Sequence, residues 1–133
     1  MTPAGEVLVD AAHNPDGVDT LVAWIHARGI PRNRIALLFG AMSDKDYAAM
    51  LHMLATVTAH RIYVTPEGRK AADPALLARL VPGVAARNVA EGLRLARERV
   101  GNDGLVIVTG SIFLVGAVRA ELLGLARDPA VAL

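Results

Sequence analysis

The feature that most constrains this chain is an alternation, five times over, of a short aliphatic run with a segment of helical periodicity. Glu6 to Asp10 reads as a strand. Asn14-Pro15 then supplies a cap residue with proline at the first helical position, ahead of Val18, Leu21, Val22 and Ile25 at helical spacing, and Arg28-Gly29 ends that helix. Arg34 to Phe39 gives a second strand, and beyond Gly40 a helix carries Tyr47, Met50, Leu51 and Leu54 on one face. Arg61 to Val64 is a third strand and Thr65 to Ala72 a turn-rich loop; Asp73-Pro74 opens a helix bearing Leu76, Leu77 and Leu80, which Pro82-Gly83 ends. A short strand near Val84 to Ala86 precedes a helix capped by Asn88 with Val89, Leu93, Ala96 and Val100. Gly101 to Gly104 then turn the chain into the strand Leu105 to Thr109, and a last helix runs from about Ser111 to Leu123.

Continuous apolar strands joined by crossovers of βαβ length imply a mostly parallel sheet covered on both faces, a Rossmann-like three-layer α/β domain. With 133 residues there is room for one hydrophobic core and one domain. A net charge of +1 excludes the basic field that drives nucleic-acid binding, and Arg94, Arg97 and Arg99 read as a solvated helix face. The absence of cysteine excludes disulfides and thiolate metal sites, and suits a reducing compartment. No apolar run reaches the roughly 20 residues of a membrane-spanning helix, and Met1 to Gly5 lack the charged-then-apolar pattern of a secretion signal, so a soluble, cytoplasmic protein is expected. A strand starting within a few residues of Met1 is what a cut at a domain boundary would leave.

Parallel sheets of this kind bind ligands beyond the carboxyl ends of their strands, so the residues leaving the strands carry the information. The first exit, Asp10-Ala11-Ala12-His13-Asn14-Pro15-Asp16-Gly17, sets an acid, an imidazole and an amide before a helix N-terminus, whose free N–H groups suit phosphate while Asp10 can accept from ribose hydroxyls. Equally, Asn14 can be a plain helix cap and Asp10 the end of a strand. The second exit, Gly40-Ala41-Met42-Ser43-Asp44-Lys45-Asp46, spaces Ser43 and Asp46 as in a capping box, with Lys45 in the first turn, where a cation opposes the helix dipole. Lys45 awaits an anion there, or pairs with Asp44 or Asp46. The last exit, Thr109-Gly110-Ser111-Ile112, can offer N–H groups and a hydroxyl to a carboxylate or phosphate, or Ser111 serves only as N-cap. The third exit, Thr65-Pro66-Glu67-Gly68-Arg69-Lys70, ranks lowest, its two cations being ordinary in an exposed loop. There is no Walker A pattern, no Gly-x-Gly-x-x-Gly after a strand and no paired-histidine zinc motif; His26, His52 and His60 read as surface or boundary residues, Trp24 and the methionines as core or groove fillers.

Taken together, Val9 to Gly17, Phe39 to Asp46 and Val108 to Gly116 resemble the C-terminal domain of the folylpolyglutamate/dihydrofolate synthase family, related to the Mur ligases, over nearly the whole chain. The resemblance implies an ATP-dependent ligase that phosphorylates the carboxylate of dihydropteroate or a folate and lets the amine of L-glutamate attack the acyl phosphate. It further implies that the P-loop, the metal ligands and most of the ATP and magnesium contacts belong to an ATPase domain this sequence does not contain, so that the single domain 1–133 is inactive alone. On that resemblance Asp10 and His13 meet the ribose and phosphate side of ATP, Asn14 supports their loop, and Lys45 and Ser111 hold the glutamate carboxylates. Two readings of other classes stand beside it: a free-standing Rossmann-like module that binds a nucleotide or small anion and regulates a partner, and a receiver-like or purely structural α/β domain, the latter lacking an acidic phosphoacceptor cluster.

Overall fold

A computed structural model describes residues 6–66 and 70–124. The sequence readings made on Met1 to Gly5 and on Glu67, Gly68 and Arg69 lie outside the described residues. Five strands, β1 (Glu6–Val9), β2 (Ile35–Phe39), β3 (His60–Tyr63), β4 (Val84–Ala85) and β5 (Leu105–Thr109), form one sheet in the order β1-β5-β2-β3-β4, every pairing parallel. The helices are α1 (Pro15–Arg28), α2 (Tyr47–Ala55), α3 (Pro74–Leu80), α4 (Val89–Val100) and α5 (Ile112–Leu123). The expected parallel α/β architecture is therefore the one observed.

Strand alternation splits the core in two. Ile35, Leu37 and Phe39 of β2 pack with α1, α2 and α3 through Val18, Leu21, Ile25, Leu51 and Leu77, while Ala36 and Leu38 face the opposite way, toward Leu93 and Ala96 of α4 and Leu114 and Val118 of α5. The central strands β2 and β5 are buried at every position, which explains their unbroken aliphatic runs. The edge strands are less covered: β1 is partly exposed and β4 shrinks to two exposed residues.

The caps read from the sequence form as expected. Asn14, Asp73 and Asn88 each accept a backbone N–H in the first turn of their helices, from Gly17, Ala75 and Glu91. Arg94 pairs with Glu98 on α4, and Arg87, just before that helix, with Glu91; Arg94 and Arg99 are exposed as expected for a solvated face, but Arg97 is part-buried, its Nε without a partner among the described residues. Two further expectations fail. Trp24 is not a core filler: it is 41% exposed on α1, with the Arg28 guanidinium 4.9 Å from its ring centroid. Leu76 points outward on a helix so short that Leu77 alone is buried.

Tyr63 is the largest fully buried side chain; its ring meets Phe39 edge-on and its hydroxyl donates to the Val81 carbonyl at 2.7 Å. Burial pushes this phenol up to about 12, against the opposing pull of Arg61. Because an unfolded tyrosine ionises near about 10, the folded state holds the proton more tightly, and this contribution is complete below that pH and falls away as pH climbs toward 12. Tyr63→Phe is expected to cost about 1–2 kcal/mol at neutral pH by leaving the Val81 carbonyl unpaired. It should also flatten the loss of stability between pH 10 and 12, measured by denaturant titration against the wild type.

Candidate functional site

The strand order decides where a site can form. β5 lies between β1 and β2, and the chain leaves β1 and β2 for helices on one face but leaves β5 for α5 on the other. Neighbouring exits that part to opposite faces open a crevice at the carboxyl edge.

The β1 exit is folded on itself. Asp10 continues the ladder by donating its N–H to Val108, and its carboxylate accepts the Ala12 N–H at 2.8 Å, an Asx turn that reverses the chain. The Ala12 carbonyl in turn accepts from the Gly110 N–H at 3.1 Å, which fastens the first exit to the last. His13 is exposed, with Nδ1 3.1 Å from the Ala11 carbonyl. A carbonyl can only accept, so this contact uses the proton on Nδ1.

The β2 and β5 exits touch. Gly110 has φ +112, and a Cβ on it would lie 2.4 Å from the Gly40 carbonyl oxygen. Gly40 is equally confined, since its own Cβ would meet the Val64 carbonyl at 2.5 Å. These two glycines let three loops converge without a side chain between them. Ser111, 2% exposed, caps α5 by accepting the Phe113 N–H at 3.1 Å. The capping role and a ligand role coexist, because accepting that bond leaves the hydroxyl proton free to donate.

The capping-box reading of Ser43 and Asp46 is corrected. Asp46 is itself the N-cap, accepting from Ala49, and α2 starts at Tyr47. Lys45 therefore precedes the helix rather than occupying its first turn, and its backbone N–H closes a turn onto Met42. The proposed pairing with Asp44 or Asp46 is not formed: among the described residues Lys45 makes no salt bridge, although it is half-buried.

Between these loops lies a cavity of about 360 Å³, walled by His13 from the β1 exit, Met42 and Lys45 from the β2 exit, and Ser111 and Phe113 at the start of α5. It adjoins a second depression of about 490 Å³ that shares Met42, Lys45 and Phe113 and adds Ser43, Asp44 and Lys70. His13, Lys45 and Ser111, singled out in the sequence, thus surround one space. Asp10 and Asn14 sit on the same loop but do not line it, their oxygens being turned to backbone N–H groups. Met42 and Phe113 were missed as site residues and Lys70 was ranked lowest; the sequence has no periodic signal for a loop pressed sideways against another. Among the described residues no cluster of three or more His, Asp or Glu could hold a metal ion, and no helix is long and apolar enough to cross a membrane.

A parallel α/β domain with a crevice at the exits of three neighbouring strands, lined by His13, Lys45 and Ser111, is the class that fold and site define, and residues 2–112 match the family described as Mur ligase, glutamate ligase domain; the chain belongs to it. The folylpolyglutamate synthase of Lacticaseibacillus casei is 34% identical over 120 residues, covering 89% of this chain and 27% of that protein. Among solved structures, Escherichia coli FolC in complex with DHPP and ADP superposes with a TM-score of 0.83 at 27% identity, over 96% of this chain and 31% of that one. A bifunctional folylpolyglutamate synthase/dihydrofolate synthase with Mn, AMPPNP and L-glutamate bound gives 0.79 at 28% identity, over 92% and 30%. The family read from the three motifs is thereby borne out, and the chain spans under a third of the length of these relatives.

Gly110→Ala is expected to destabilise the domain by about 1–3 kcal/mol or more, since alanine is strained at that φ and its methyl strikes the Gly40 carbonyl. Gly116→Ala, on α5 with nothing within 4 Å of the new methyl, should instead gain up to about 1 kcal/mol. Paired denaturation curves check both.

Proposed function

We propose that this chain is the glutamate-binding C-terminal domain of an ATP-dependent folylpolyglutamate or dihydrofolate synthase working in the cytoplasm. In the reaction so assigned, the γ-phosphoryl group of ATP passes to a carboxylate of dihydropteroate or a folate, giving ADP and an acyl phosphate. The neutral amine of L-glutamate then adds to the acyl carbon, phosphate leaves, and the nitrogen loses a proton as the amide forms. This domain contributes orientation and charge rather than proton transfer. Lys45 and the free Ser111 proton hold the glutamate carboxylates; His13 and Asp10 face the ribose and phosphates of ATP, Asn14 keeping their loop in place. The P-loop and the magnesium accompanying ATP belong, on this reading, to an ATPase domain supplied by the rest of the enzyme.

The observation that carries the reading is the convergence of His13, Lys45 and Ser111 on one cavity, with Lys45 half-buried and without a carboxylate partner. Leaving a cation partly desolvated costs free energy that an anionic ligand would recover. The similar bifunctional synthase with AMPPNP and L-glutamate bound supports the same ligands here.

In the full-length enzyme, Lys45→Ala should raise the KM for L-glutamate by about tenfold or more, the loss of a charge-assisted contact, while leaving the KM for ATP within about twofold. Equal effects on both constants would overturn the assignment. The 133-residue chain alone should show no folate-dependent ATP consumption, and turnover by it would contradict the division of labour.

A further inference from the structure

The third strand exit, ranked lowest in the sequence, is not a free loop. The Lys70 carbonyl accepts the Ser43 N–H at 2.9 Å, Ala72 donates to Ala41 at 2.8 Å, and Met42 and Ala71 form an antiparallel bridge. These contacts fix the backbone of Lys70 against the β2 exit and set its side chain in the wall of the 490 Å³ depression that Lys45 also lines. Among the described residues neither lysine makes a salt bridge, so two ammonium groups stand there against the single carboxylate of Asp44. Met42 and Phe113 line both lobes and give an apolar wall between the Ser111 end and the Lys70 end.

We propose that Lys70 is a specificity residue that reads the second carboxylate of the incoming dicarboxylic amino acid. One carboxylate is held by Lys45 and Ser111 in the smaller lobe, the methylenes lie along Met42 and Phe113, and the other carboxylate reaches Lys70. The proposal rests on the ligase reading above and adds to it the reason an amino acid with a carboxylate side chain is preferred. An uncharged isostere such as L-glutamine fills the same volume but leaves the Lys70 ammonium without a partner. Discrimination between the two is then set mainly at this position.

The test is steady-state kinetics of the full-length enzyme with L-glutamate and L-glutamine as competing amines. Because Lys70 is exposed, a contact of modest strength is expected: Lys70→Met should raise the KM for L-glutamate about five- to tenfold. It should leave the KM for ATP unchanged and reduce the glutamate-over-glutamine preference in kcat/KM by the same factor. Lys70→Arg should restore most of that preference, and Lys70→Glu should lower it further. If Lys45→Ala impairs glutamate use while Lys70→Met leaves both the glutamate KM and the preference at wild-type values, this inference fails and the ligase reading stands. If neither substitution affects glutamate, the site assignment itself fails and the inference with it.

Discussion

The approach of the Gly110 backbone to the Gly40 carbonyl is the constraint on which the site depends. β5 can bring its exit between those of β1 and β2 only if nothing larger than hydrogen stands on Gly110, while a side chain on Gly40 would strike the Val64 carbonyl where β3 ends. That single contact, together with the Gly110 N–H bond to Ala12, turns three loops that are distant in sequence into one rigid rim. The ladder of β5 with β1 and β2 sets the height of each exit, with Val9 opposite Val108 and Phe39 opposite Thr109, so His13, Lys45 and Ser111 arrive at the same level. Positioning of this kind comes from the buried centre of the sheet, where a displaced strand would lose the packing of both faces at roughly 25 cal/mol for each Å² uncovered.

How the polar groups are employed separates scaffold from site. Asp10, Asn14, Asp46, Asp73 and Asn88 spend an oxygen on a nearby backbone N–H. Of the acids and amides near the rim, Asp10, Asn14 and Asp46 thus help shape loops and start helices, while Asp44 lies along the larger depression. Among the described residues Lys45 and Lys70 make no salt bridge, and Ser111 keeps a donor in reserve. Under the proposed reading, two lysines and a hydroxyl donor around two adjoining cavities favour anionic ligands without a large net charge, in keeping with a chain carrying only +1 overall.

Much of the architecture was legible because parallel strands buried on both faces must be continuously apolar, as Ile35–Phe39 and Leu105–Thr109 are, and because cap residues followed by proline mark helix starts without reference to tertiary structure. His13 and Ser111 were legible for the same local reason, each lying within a few residues of such a boundary. Strand order was not, since no local pattern tells that the fifth strand inserts beside the first. The position of Lys45 was misread because Ser43 has the spacing of a cap but donates its N–H to Lys70 instead, leaving the capping to Asp46. Lys70 was undervalued for the complementary reason: its place is set by one isolated bridge between loops, a tertiary contact that leaves no periodicity behind.

The same geometry explains why a domain of this design would work in company. Ile112 and Phe113 open α5 at the mouth of the cavity and are 63% and 49% exposed, an apolar lip beside a polar pocket. A pocket open on that side stays wet, and in water the attraction between an ammonium and a carboxylate is worth about 1 kcal/mol, far less than in a closed cleft. Under the proposed reading the ATPase domain covers that lip, excludes water and strengthens the contacts of Lys45 and Ser111 at the moment the acyl phosphate is presented. Binding of the amino acid and closure of the cleft are then one event: glutamate held weakly in the open rim is held firmly only where an acceptor for its amine is already in place, which limits futile loss of the acyl phosphate to water.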